Sequence, residues 1–88
     1  MWTGQGPREA RQRVIFLEPF LSAPVVHVSV GMWDTGGETN QRGDIQADRI
    51  TAEGFDIVFS TWGDTRVARI RAEWLAIGPV RHLDDFDL

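Results

Sequence analysis

The sequence predicts an all-β domain of the small antiparallel sandwich class. Apolar and polar residues alternate with a period of two in several stretches. No apolar pattern of helical period appears, and turn chemistry rich in Gly, Pro, Asn and Asp separates the stretches. About five or six short strands fit such a chain, which suits a sandwich or a barrel.

Residues 1–12 are polar and glycine-rich and read as an extended lead-in. Arg13-Val14-Ile15-Phe16-Leu17 is β-branched and aromatic, the first predicted strand. Pro19 and Pro24 bracket a connector, because neither can donate to a ladder. Val25 to Trp33 alternates most clearly, with Val26, Val28, Val30 and Met32 opposed to His27, Ser29 and Gly31. Asp34 to Asn40 is a turn-rich loop. Asp44 to Thr51 alternates weakly, which predicts an edge strand or a subunit contact. After the Glu53-Gly54 turn, Phe55, Ile57 and Phe59 share one face.

The last predicted strand runs from Arg66 to Ile77, with Ala68, Ile70, Ala72, Trp74 and Ala76 on one side and Arg69, Arg71 and Glu73 on the other. Small alanines opposite bulky rings predict a tight core that includes Trp74. The polar side is a solvated face in a monomer and a salt-bridged seam in an oligomer, and spacing alone does not choose. Residues 79–88 form an acidic tail, leaving 13–78 as the folded body.

The 88 residues hold a single core, and a core this small gains from oligomerisation. There is no Cys, hence no disulfide and no thiolate metal site. The formal net charge of -4 argues against nonspecific nucleic-acid binding. No apolar run reaches the roughly 18 residues of a membrane span. The N-terminal residues lack the charged and apolar regions of a signal peptide, so the expectation is a soluble chain that stays in the cytoplasm or leaves by a non-classical or phage-type route.

Catalytic motifs are missing. There is no nucleophile elbow, phosphate loop or metal-spaced His/Cys cluster, and His27 and His82 stand alone. Asp84 and Asp85 lie in the tail, where no environment tunes a general acid. Asp34 and Glu38 supply too few oxygens for Ca²⁺, and Asp34 reads as a loop-initiating residue bonded to nearby backbone N–H groups. The chain is therefore read as a non-enzyme with no metal and no cofactor. Trp62 is the residue that asks for a function, because a tryptophan at a hairpin tip exposes apolar surface and offers a flat platform for a sugar face.

The ordered set Val14-x-Phe16, Pro24-Val25-Val26, Asp34, Arg42, Gly54-Phe55, Thr61-Trp62-x-x-Thr65 and Trp74-x-x-Ile77 resembles the H-type lectin domain, and it runs over residues 14–78 without a gap. The resemblance implies a six-stranded antiparallel β-sandwich that assembles as a homotrimer, with a hexamer of stacked trimers left open. It implies shallow sites between protomers for galactose or N-acetylgalactosamine-type sugars. Trp62 falls on the family's turn tryptophan, and Arg42 falls on its sugar-bonding arginine.

Gly63 stands where the best-known member has a histidine, and Asp64 beside it offers an acceptor for hydroxyl groups. Ala68 replaces an aromatic that closes the site, and the family's upstream Asp falls near Gln5. These departures keep a second reading open, a trimeric assembly module of a phage-like particle or surface structure that binds no sugar. Arg42 has Glu38, Asp44 and Asp48 as candidate ion-pair partners. Trp33 is a candidate for core, interface or a second aromatic at the site, and Trp2 for an anchor of the lead-in.

Overall fold

A computed structural model describes residues 6–37 and 40–80. Five strands follow in chain order: β1 (Arg8–Ile15), β2 (Val25–Thr35), β3 (Asp44–Asp48), β4 (Gly54–Thr61) and β5 (Val67–Ile77). They form a three-stranded sheet ordered β1-β4-β3 and a two-stranded sheet of β2 and β5, every pairing antiparallel. The all-β antiparallel fold expected from the alternation is the fold observed, with five strands among the described residues. Gln5 and His82 lie outside the described residues, as do Trp2, Glu38, Asp84 and Asp85.

The face shared by Phe55, Ile57 and Phe59 joins the two layers. The Trp74 ring of β5 meets Phe55 edge-on at 5.3 Å, and the Trp33 ring of β2 meets Phe59 edge-on at 5.4 Å. Edge-to-face packing of this kind is the favoured aromatic geometry. Phe55, Val58, Phe59 and Val67 are the buried apolar residues. Trp33 packs on the core through Phe59 but is itself only half-buried.

Three expectations change. β1 begins at Arg8 rather than Arg13, because the backbone continues to pair with β4 from Ile15 opposite Gly54 back to Arg8 opposite Thr61. Its polar side chains find partners there, so low β-propensity does not end the strand. β3 stops at Asp48 rather than Thr51. Arg49 takes a positive φ of 51°, and the Asp48 side chain accepts a 2.9 Å hydrogen bond from the Arg49 N–H. Trp74 is not enclosed: 45% of it remains exposed although its ring touches Phe16 and Phe55. Two strands are too narrow to cover three. They leave a cleft of about 500 Å³ between the layers, lined by Val14, Ile45, Ile57, Ile70, Ala72 and Trp74 among others.

The outer face of the three-stranded sheet is polar. Asp56 on β4 is only 4% exposed and lies 3.1 Å from both Arg11 and Arg13. Burial pushes the Asp56 carboxyl up, but hydrogen bonds from Arg13 and Arg11 outweigh it and hold its pKa below the ordinary value. Arg11 also donates to Asp48 at 3.1 Å, which lowers the Asp48 pKa and raises that of Arg11.

Candidate functional site

The turn between β4 and β5 carries Trp62, Gly63 and Asp64, flanked by two buried threonines. Both threonines bond to the segment that carries Arg42. The Thr61 hydroxyl donates to the Arg42 carbonyl at 2.6 Å. The Thr65 hydroxyl donates to the Asn40 carbonyl at 2.5 Å and accepts from the Arg42 N–H at 3.1 Å. The Thr-Trp-x-x-Thr spacing thus has a mechanical meaning. Two buried hydroxyls staple the base of the turn, and the residues between them are lifted outward. Trp62 is 44% exposed as a result.

The Arg42 side chain reaches over the turn, and its Nη1 donates to Asp64 Oδ1 at 2.7 Å. Asp64 is the partner observed, instead of Asp44 or Asp48. Gly63 makes room for this pair. Its φ is +70°, and a Cβ there would sit 2.9 Å from Arg42 Nη1. The left-handed backbone favours glycine here, and a side chain would have to push the flexible guanidinium aside. From the other side, Arg8 Nη2 donates to the carbonyls of Gly63 at 3.2 Å and Thr65 at 2.9 Å, and the Gly6 N–H donates to the Gly63 carbonyl at 3.1 Å.

The loop before β3 is held independently. Trp33 Nε1 donates to Gln41 Oε1 at 3.0 Å, and Gln41 Nε2 donates to the Gly36 carbonyl at 3.1 Å. A Cβ at Gly43 would meet the Trp33 ring at 2.6 Å, so glycine lets the chain cross the indole. Asp34 differs from its expected role. Its Oδ2 accepts from Nε and Nη2 of Arg69, each at 3.3 Å, across the β2–β5 ladder. Among the described residues no group of three or more His, Cys, Asp and Glu is placed to hold a metal. His27 is exposed on β2 opposite Leu75, and Ala68 is exposed near the start of β5.

The arrangement therefore brings together an exposed indole, a guanidinium and a carboxylate on a rigid base. Such groups suit a ligand with one apolar face and several hydroxyls. Residues 11–77 match the H-type lectin domain. The chain belongs to the H-type lectin domain family.

As a lectin domain it is a carbohydrate-binding module and not an enzyme. The chain is 58% identical over 88 residues to the protein of Fuscovulum blasticum named ATP synthase subunits region ORF 7, covering 100% of this chain and 76% of that one. It is 39% identical over 75 residues to a Discoidin-1 chain of Dictyostelium discoideum, covering 84% of this chain and 30% of that one. The structure of recombinant discoidin II from the same organism superimposes with a TM-score of 0.81 at 30% identity, over 86% of this chain and 31% of that chain. The lectin domain described here thus spans less than a third of each discoidin chain.

Within the lectin domain, sequence reading selects Trp62, Arg42, Gly63 and Asp64; the structure puts Trp62, Gly63 and Asp64 in one turn, and the Arg42 side chain reaches it from the segment before β3. It does not foresee the bracing of that turn by Thr61, Thr65 and Arg8. The paired threonines are a visible signal, since buried hydroxyls need partners. Arg8 gives none, because its acceptors are backbone carbonyls far along the chain.

Proposed function

We propose that the Trp62 turn is the sugar site of this lectin domain and that it takes a galactose-type pyranose, galactose or N-acetylgalactosamine. The observation that carries the reading is the exposed Trp62 indole on the same turn as Asp64, which Arg42 meets at 2.7 Å above a base of buried threonines. The indole covers the C–H face of the ring, a contact that favours sugars with an unbroken apolar patch. Arg42 donates through its remaining N–H groups, and Asp64 accepts from hydroxyls through its remaining lone pairs. Gly63 keeps the floor low, so a pyranose can approach the pair without meeting a side chain.

The same reading takes the working form as a homotrimer with its sites between protomers. The open cleft beneath Trp74 supports it, since 45% of that ring needs cover and a second chain supplies it. Each shallow site makes few contacts, and three in fixed geometry raise binding to a glycan-covered surface by about 10²–10⁴-fold. Saturation-transfer NMR on a sized sample, with N-acetylgalactosamine, galactose and glucose together, tests the sugar class. Saturation of a galactose-type sugar in preference to glucose is expected. Saturation of glucose alone contradicts the proposed class.

The alternative is a trimeric assembly module without sugar binding. The exposed apolar residues Leu17, Leu75 and Ile77 favour it, because they lie outside the Trp62 turn and offer surface for packing. A well-formed trimer that saturates none of the three sugars is the result that selects it.

A further inference from the structure

The flank of Trp62 away from Arg42 carries polar groups that the site above does not use. β1 and β4 are antiparallel with Glu9 opposite Ser60, and opposed residues point to the same side of a sheet. Trp62 follows directly after the last residue of β4. Glu9, Ser60 and Trp62 line a shallow cleft of about 230 Å³ together with Pro7, Arg8 and Thr61.

Two of these groups are committed elsewhere. The Thr61 hydroxyl donates to the Arg42 carbonyl, and Arg8 Nη2 donates to the carbonyls of Gly63 and Thr65. The Glu9 carboxylate is 53% exposed and touches Arg11 Nε at 3.5 Å, which leaves further lone pairs open to the cleft. Arg42 pairs with Asp64, Arg8 Nη2 faces backbone oxygen, and Arg11 stands against Glu9 itself. A sugar lying on Trp62 from this side meets a carboxylate, which can only accept, and a hydroxyl.

We propose that Glu9 is a hydroxyl acceptor of the Trp62 cleft and that it makes the site select neutral sugars over anionic sugars of the same ring. The inference rests on the reading of Trp62 as the sugar platform. Two adjacent hydroxyls of a neutral pyranose donate to one carboxylate, with Ser60 as the companion group. A uronic acid brings a second negative charge against Glu9. Like-charge juxtaposition of this kind is a device of rejection as much as of binding.

The test titrates the full chain with galactose and with galacturonate, followed by NMR chemical shifts, for the wild type, Glu9→Gln and Trp62→Ala. The wild type is expected to bind galactose about tenfold more tightly than galacturonate, and Glu9→Gln to remove most of that gap. Raising the salt concentration on the unmodified protein should narrow the gap too, which keeps the test independent of how the variant folds. Equal wild-type affinities, or a gap that neither Glu9→Gln nor salt changes, overturns the inference. If Trp62→Ala abolishes galactose binding in that case, the platform itself stands. Wild-type protein that binds neither sugar, or Trp62→Ala that binds galactose undiminished, overturns the platform and this inference with it.

Discussion

At the residue scale, the site depends on hydroxyls that touch no ligand. Thr65 joins two segments through one oxygen, donating to Asn40 and accepting from Arg42. Thr65→Val keeps the volume but strands the part-buried Arg42 N–H and Asn40 carbonyl. Leaving such groups unpaired costs about 1–3 kcal/mol. Chemical denaturation should show a lowered midpoint of that size, and sugar titration should show weaker binding because Arg42 loses its tether.

Asp56 sets the acid behaviour. Its folded-state pKa is depressed, because hydrogen bonds from Arg13 and Arg11 outweigh the burial that would raise it. The unfolded chain therefore binds this proton more readily than the folded one. The stabilisation is fully present above the unfolded Asp value of about 3.9 and is lost as pH falls through the lower folded value. Denaturation midpoints followed downward from neutral pH should fall across that window. Asp56→Asn should be less stable at neutral pH and show a flatter fall. An unchanged acid profile in the variant would place the titrating group elsewhere.

At the element scale, legibility follows from where each strand finds its partners. β2 and β4 carry their own evidence. Val26, Val28 and the Phe55-Ile57-Phe59 set alternate and pack as their sequence marks, but Val30 does not: it is 39% exposed, where the β2–β5 register shifts between Val30 and Met32. The early start of β1 is not legible in the same way. Arg8 and Arg11 read as a polar lead-in until Asp48, Asp56 and the carbonyls of Gly63 and Thr65 are set opposite them. Those partners lie dozens of residues away in the chain, beyond the reach of a local pattern. The pairing of Arg42 with Asp64 is hidden for the same reason, although both residues are marked by the turn motif. Gly63 is legible only as a departure from the family's histidine. Its reason appears once the left-handed φ and the overlying guanidinium are known.

At the scale of the whole molecule, the two layers do not close by themselves. The alanines beside Trp74 on its face predict a tight core, but alanines also leave the ring uncovered when the opposite sheet is out of reach. A partner chain over the cleft would turn Trp74 into an interface anchor, the role tryptophan most often plays in binding hot spots. Trp74→Ala should then shift the protein toward monomer in sedimentation velocity, with a concentration-dependent denaturation midpoint in the wild type. A variant that keeps the wild-type sedimentation coefficient would assign the ring to the fold of one chain.

The central claim is that the Trp62 turn binds the sugar while the strands beneath it build the scaffold. Titration of the wild type and Trp62→Ala with N-acetylgalactosamine, each sample sized beforehand, tests it most directly. The account predicts the same oligomer for both and a loss of affinity of at least about tenfold in the variant, the equivalent of about 1.4 kcal/mol. A variant that binds the sugar as well as the wild type would contradict it, and so would one that loses binding only by falling apart into monomers.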